Sequence, residues 1–200
     1  MSFFEPPPPP PKVERQPQPE WLGPPDNVLG VAVPLVVLLA KTDELAVVVA
    51  HPTAYPTGFE FRLQVRARAA DHELDPFEYH PHRRGGEDAF RFGLQFADGR
   101  KATTVGRPLA RPDEPPEPPR LIMRGGSGGG TRWDHGYWVW GLPTPGPLAF
   151  VCSWPAKGLA ETRVEVDAQP LVAAAAHAEE LWPGGEPDAG SGGWTTYAGG

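Results

Sequence analysis

The segment from Asp71 to Asp88 holds the densest group of side chains that can do chemistry. His72, His80 and His82 lie there among carboxylates, and an extended His80-x-His82 pair directs both imidazoles to one side. Asp75 would add an oxygen ligand for a divalent metal. The spacing therefore predicts a candidate metal site. A proline between the last two histidines and the lack of a flanking regular element favour an ordinary solvated loop instead.

Aromatic residues alternate along the segment from Trp133 to Trp140 and occupy both of its faces. In an extended strand Trp133 and Tyr137 point to one side, while Trp138 and Trp140 point to the other. One side must face a core. The other side is either covered by the C-terminal helix or a tail, or exposed as an aromatic platform for a sugar or a peptide. These four residues are the candidate aromatic binding surface.

Ser127 lies in a glycine run that matches the letters of the G-x-S-x-G nucleophile motif. That motif needs a strand before the serine and a helix after it, whereas this run leads into the aromatic segment. We therefore predict a long, mobile hairpin loop at residues 125–130. Cys152 shares a face with large apolar residues and is predicted to be buried. The sequence assigns no catalytic residue and no cofactor, and it argues against an enzyme.

The composition restricts the class of protein. Proline and glycine account for 28 and 24 of the 200 residues, which excludes a helical bundle. A net charge of −7 argues against nucleic acid and anionic membranes as partners, because both attract basic surfaces. A single cysteine excludes an internal disulfide, so we expect no disulfide-linked partner and a cytoplasmic location.

Three stretches have the pattern of β-strands. Apolar and charged residues alternate from Phe59 to Arg68, which is typical of a strand with one buried face. Val31–Leu39 and Leu45–Tyr55 are almost continuously apolar, as in strands covered on both sides. Pro34 and Pro52 interrupt them and indicate an edge or a bulge at each position.

Two hairpins follow from turn residues. Phe90–Phe96 alternates and then meets Asp98-Gly99, a strong hairpin signal, and a two-residue loop there pairs Leu94 with Thr103. A second hairpin joins residues 148–154 to residues 162–166.

The end of the apolar pattern changes to helical spacing. Apolar residues recur at helical spacing over 168–182, with Asp167 as the predicted N-cap. We therefore predict a mainly β protein, a single antiparallel β-sandwich of immunoglobulin-like or jelly-roll type with one C-terminal α-helix. The predicted domain spans 26–182. A disordered proline-rich arm (1–25) and a disordered glycine-rich tail (183–200) flank it.

Several blocks of the sequence resemble those of a family of bacterial hypothetical proteins. The blocks are GPPDNVLG, AYPTGFEF, FGLQFADGRKAT, GPLAFVCSWPAKGLAET and the final helical segment. The resemblance covers about Gly23 to Trp182. It implies one compact domain between variable arms and carries over no activity, cofactor or residue role.

Two functions from different classes remain open. The first is a non-catalytic protein-interaction module, a rigid sandwich with flexible arms that engage an unidentified protein partner. The alternative is a small-ligand or metal-binding sandwich, possibly hydrolytic, that uses the His-rich loop 71–88 and the aromatic strand 133–140. A contiguous apolar patch favours the first, and convergent polar groups in a pocket favour the second.

Overall fold

The structure is a computed structural model that describes residues 19–70, 88–105 and 116–182. The first strands are β1 (Val28–Leu29), β2 (Val31–Ala32), β3 (Val36–Lys41), β4 (Leu45–Tyr55), β5 (Gly58–Ala67) and β6 (Arg91–Gln95). They are followed by β7 (Lys101–Thr103), β8 (Arg120–Gly129), β9 (Arg132–Trp140), β10 (Pro147–Trp154) and β11 (Leu159–Asp167). The helix α1 (Gln169–Ala175) and the short strand β12 (Glu179–Glu180) complete the described chain.

Two antiparallel sheets form the sandwich. The larger sheet has the order β2-β4-β5-β9-β8, with β3 also paired to β4, and the smaller has the order β11-β10-β6-β7. Strands β1 and β12 pair separately. The prediction of a mainly β, antiparallel fold with one helix near its C-terminal end is confirmed. The choice between an immunoglobulin-like and a jelly-roll connection stays a prediction.

Aromatic rings from both sheets meet in the core. Phe61 on β5 contacts Phe92 and Phe150 of the smaller sheet at centroid distances of 5.8 and 5.7 Å, and it stacks on Tyr137 of β9 at 5.6 Å. All four side chains are buried. The predicted alternation of β5 therefore gives the inner face of the larger sheet, and its charged residues point away from the core.

The prolines act where the sequence predicts. Pro34 lies between β2 and β3, so the first apolar stretch forms two short strands instead of one. Pro52 lies at a register shift of β4 between Ala50 and Thr53. His51 in this bulge has a φ of 55°, in the left-handed region that non-glycine residues rarely adopt.

The first hairpin is one residue longer than predicted. The amide of Phe96 donates to the carbonyl of Arg100, which closes a three-residue loop, and Gly99 has a φ of 88°. Asp98 accepts the amide of Arg100 through Oδ1 at 3.0 Å. The predicted pairing of Leu94 with Thr103 is therefore wrong. A three-residue loop with one left-handed glycine shifts the register by one, so Leu94 faces the buried Ala102.

The C-terminal helix is shorter than predicted. It ends at Ala175 instead of residue 182, because Glu179 and Glu180 pair with β1 and cannot remain helical. Ala168 occupies the N-cap position, and Asp167 accepts the amide of Gln169 through Oδ1 at 2.9 Å.

The glycine run also differs from its prediction, since residues 125–129 continue β8 instead of forming a loop. An added Cβ would lie 2.5 Å from His135 at Gly126 and 2.2 Å from Trp133 at Gly128. Glycine at these positions leaves room for the two rings beside the edge strand. Backbone hydrogen bonds to β9 hold the segment without side chains.

Within the described ranges, no helix is both long enough and apolar enough to cross a membrane.

Candidate functional site

The outer face of the larger sheet carries most of the described groups that can recognise a ligand. The register pairs Glu60 with Trp138 and Arg62 with Gly136, and all four positions lie opposite to the core-facing positions of β5 and β9. Trp138 is nevertheless fully buried, although it lies outside the hydrophobic core cluster. Something other than the second sheet must therefore cover it.

The cover is the chain segment before the first strand. The indole Nε1 of Trp138 donates to the carbonyl of Glu20 at 3.0 Å, and Nη1 of Arg124 donates to the carbonyl of Leu22 at 3.0 Å. Trp21 meets Trp140 edge to face at 6.2 Å. Residues 19–25, which the sequence analysis assigned to the arm, thus include part of the packed domain. Trp138 and Arg124 therefore bind this segment through its main-chain carbonyl groups.

The four residues of the candidate aromatic surface are divided by this arrangement. Trp133 and Tyr137 lie in the core at 5% and 3% exposure. Trp138 lies beneath residues 20–22, and its ring contacts Tyr55 edge to face at 5.7 Å. The four side chains therefore do not form one exposed platform here. Of the two explanations offered for the second side of β9, a covering segment holds at Trp138. The N-terminal segment provides this cover, and α1 does not.

At the Arg132 end of the outer face, two arginines share one carboxylate. Asp134 accepts from Arg66 at 3.0 Å and from Arg132 at 2.7 Å. Although partial burial raises the pKa of Asp134, the two hydrogen-bonded guanidinium groups lower it below its ordinary value overall. This end of the face is therefore a closed ion cluster.

A pocket of about 300 Å³ lies two residues further along the same face, where Arg62 is paired with Gly136. Its walls include His51, Arg62, Arg124 and Glu60, and Gly136 lies on its lining. The guanidinium group of Arg62 makes no hydrogen bond or ion pair within the part of the chain that the structure describes. Two guanidinium groups against one carboxylate give this pocket a net charge of about +1, in a chain whose net charge is −7.

Glu60 is held by Tyr55 instead of by an arginine. The hydroxyl of Tyr55 donates to Oε1 of Glu60 at 3.1 Å. Burial, and then the nearby carboxylate, raise the pKa of Tyr55 to about 12. Tyr55 is therefore a stable donor at neutral pH, and Glu60 makes no ion pair with Arg62 among the described residues.

An apolar strip lies beside the pocket on the same face. The register places Val36 opposite Ala50 and Leu38 opposite Val48, and Ala50 is in turn opposite Arg62 on β5. Val36 is 69% exposed and Leu38 is 55% exposed. Aliphatic and cationic groups are therefore neighbours at this edge of the sheet.

The remaining candidates are settled differently. The candidate metal ligands His72, Asp75, His80 and His82 lie outside the described residues, so the metal site stays a prediction. Elsewhere in the described ranges no group of three or more histidine, cysteine or acidic residues is placed to hold a metal. Cys152 is buried as predicted, and burial raises the pKa of its thiol to about 12, which keeps it protonated.

Sequence reasoning missed the pocket. His51, Arg62 and Arg124 come from three different strands, so no local spacing links them. A signal was present in Gly136, a glycine inside a strand of aromatic residues, because such a glycine often marks a close approach by another group.

Comparisons of the chain with protein-family models, with curated proteins and with solved structures found no match. The function is therefore argued from the residues of this face.

Proposed function

We propose that this protein is a non-catalytic protein-interaction module that binds its partner on the outer face of the larger sheet. The observation that carries the proposal is the exposure of Val36 and Leu38, two aliphatic side chains on one face of an edge strand. The partner is a protein that places aliphatic side chains on the apolar strip and an acidic group near Arg62.

The composition of this face supports such a partner. Interfaces of non-obligate complexes combine an apolar centre with a polar rim, and arginine is enriched in them. Val36, Leu38 and Val48 would supply the apolar centre, with Arg62 and Arg124 on its border. Charge complementarity with the cationic border selects an acidic partner group and excludes a basic one.

The contact with residues 20–22 supports the same proposal in another way. Trp138 and Arg124 each donate to a main-chain carbonyl of that segment. The bound segment is a turn, closed by a hydrogen bond from the Leu22 amide to the Pro19 carbonyl. Bonds to main-chain carbonyls do not depend on the side chains of the bound segment, so this face has donors that can hold the main chain of a peptide.

The other described groups argue against catalysis. Ser127 lies in a regular strand followed by another strand, without the strand–helix turn that a nucleophile elbow requires. The thiol of Cys152 is buried and protonated. The cytoplasm remains the proposed compartment, since it suits a chain with a single cysteine.

The test is a quantitative pulldown from the native source with the full chain, Leu38→Asp and Leu29→Asp. The two leucines are matched in exposure, at 55% and 56%, but Leu29 lies on β1, outside the strip. We expect one partner to be recovered equally by the wild type and Leu29→Asp, and at least tenfold less by Leu38→Asp. Thermal melting confirms that both variants fold.

A further variant separates the face from the arm. Replacing the six prolines of residues 6–11 by alternating glycine and serine removes the polyproline run and alters none of the residues that the structure describes. Loss of the partner with this variant but not with Leu38→Asp would overturn the proposed surface and assign binding to the arm.

A further inference from the structure

We infer that the pocket formed by His51, Arg62, Arg124 and Gly136 is a binding site for a carboxylate group. The inference goes beyond the proposed interaction and does not depend on it, because the pocket can take a carboxylate from a small molecule or from a peptide. The charge of the pocket, its open volume and the conformation of its wall all favour such a ligand.

The charge of the pocket is available to a ligand. Arg62 has no carboxylate partner in the described chain, whereas Arg66 and Arg132 on the same face both bind Asp134. A guanidinium group matches a carboxylate through two parallel N–H donors. Glu60 also lines the pocket, so a dianion such as phosphate meets more repulsion there than a carboxylate with one charge.

A glycine keeps the floor of the pocket open. Gly136 lies opposite the register irregularity of β8 between Met123 and Gly126 and has no positive φ. An added Cβ would meet its nearest neighbours, Cβ of Arg124 and the carbonyl oxygen of Gly125, at 3.5 and 3.6 Å, which are ordinary contacts. The absence of a side chain at Gly136 therefore leaves space in the pocket between Arg62 and Arg124.

The conformation of the wall points in the same direction. His51 has a φ of 55° in the bulge of β4 and lines the pocket together with Thr53. Non-glycine residues held in sparsely populated backbone regions cluster at ligand sites and switch regions, where the surrounding structure enforces them. The imidazole and the Thr53 hydroxyl add donors to those of the two arginines.

The volume limits the size of the ligand. A space of about 300 Å³ lies at the lower end of small-molecule sites, and it suits a carboxylate with a short aliphatic chain. The apolar strip begins next to Arg62, at Ala50. A peptide could therefore place an acidic side chain in the pocket and aliphatic neighbours along β3 and β4.

Nuclear magnetic resonance on the full-length protein tests the inference. The probes are sodium butyrate, the capped peptide acetyl-Val-Glu-Val-amide and its uncharged twin acetyl-Val-Gln-Val-amide. We expect butyrate and the acidic peptide to shift the amide signals of Gly136 and Gly125 saturably, and the twin to leave them unchanged. The amide of Asn27, in a second depression lined by Glu20 and Glu180, should not move.

Variants of the pocket make the test specific. Arg62→Gln removes the unpaired guanidinium, and Gly136→Val fills the space with a residue that suits a strand. Each should weaken the affinity for butyrate at least tenfold. Arg163→Gln, on the outer face of the smaller sheet, is the matched control and should bind as the wild type does. Amide spectra of each variant report whether the sandwich is intact.

The outcomes separate the two ligand sources and the two proposals. An acidic peptide that binds at least tenfold more tightly than butyrate supports the site as one for a partner segment, whereas equal affinity supports a small free carboxylate. No saturable shift, or equal binding by folded Arg62→Gln, overturns the inference. If Leu38→Asp still binds a carboxylate, the pocket is supported as a binding site, even when the pulldown contradicts the interaction module.

Discussion

The outer faces of the two sheets show the same alternation of side chains, but their groups find partners in different ways. On the smaller sheet, Arg163 donates to Gln95 at 2.9 Å and to Glu165 at 2.9 Å, so neighbouring side chains satisfy one another. On the larger sheet, Trp138 and Arg124 donate to a segment that lies outside both sheets. Arg62 has no such partner among the described residues.

Strand alternation therefore identifies the side chains that point away from the core. It does not identify the groups that these side chains contact. Outward-facing side chains of the smaller sheet contact solvent. A small residue on a central strand, such as Ala149 on β10, is an exception, because the neighbouring strands bury it. On the larger sheet the outward face is partly an interior.

The largest effect should come from Trp138→Ala, compared with Val151→Ala on the smaller sheet. Trp138 is fully buried under residues 20–22, so its removal should lower the free energy of unfolding by about 3–5 kcal/mol. Val151 is only half-buried, and its loss should cost about 1 kcal/mol. Urea unfolding measures both. Equal losses would mean that the cover contributes little to stability.

An intermediate effect should appear at alkaline pH through Tyr55. Its folded pKa of about 12 exceeds the ordinary 10.0, so its contribution is complete below pH 10 and is lost as pH rises towards 12. Between pH 8 and pH 11 the free energy of unfolding of the wild type should fall relative to that of Tyr55→Phe, because Tyr55 loses its proton more easily in the unfolded chain. We expect a fall of about 1 kcal/mol, since solvent screening reduces the effect for a partly buried group. Urea unfolding of both proteins at the two pH values checks this. A constant difference would contradict the sign.

The smallest effect should separate the ion clusters of the two faces. Asp134→Asn removes a carboxylate that binds two arginines and is only 14% exposed, so a loss of about 1 kcal/mol is expected. Glu165→Gln breaks a pair in which both side chains are about half exposed, and we expect a change below about 0.5 kcal/mol. The Asp134 contribution should also disappear as pH falls below 3.8, because its folded pKa lies under that value. Thermal unfolding at pH 7 and pH 3 measures these differences.

The sequence predicted what depends on local period and local sterics. Alternation placed β5 with its correct inner face, and Pro52 marked the bulge in β4. Cys152, predicted to share a face with large apolar residues, is buried together with Leu148, Phe150 and Trp154. Each of these features follows from neighbours in the chain.

The failures have a common physical origin in contacts between distant residues. The glycine run is a strand because it pairs with β9, and α1 stops at Ala175 because the chain after it pairs with β1. The hairpin register depended on the loop length. A two-residue loop needs a positive φ at both Asp98 and Gly99, whereas in the observed loop only Gly99 has one. Both residue types allow a positive φ, so the sequence did not decide between the two loops. The pocket required the registers of β4, β5, β8 and β9 at once.

The pairing of β1 with β12 has a consequence for synthesis on the ribosome. Asn27 Nδ2 donates to Glu180 at 3.2 Å across a separation of 153 residues, beside the ladder that joins these strands. At roughly 5–20 residues per second, β1 waits on the order of 10–30 s before its partner is translated. The first strand made is therefore among the last to be paired. The β1–β12 ladder can therefore form only when nearly all of the described residues have left the ribosome.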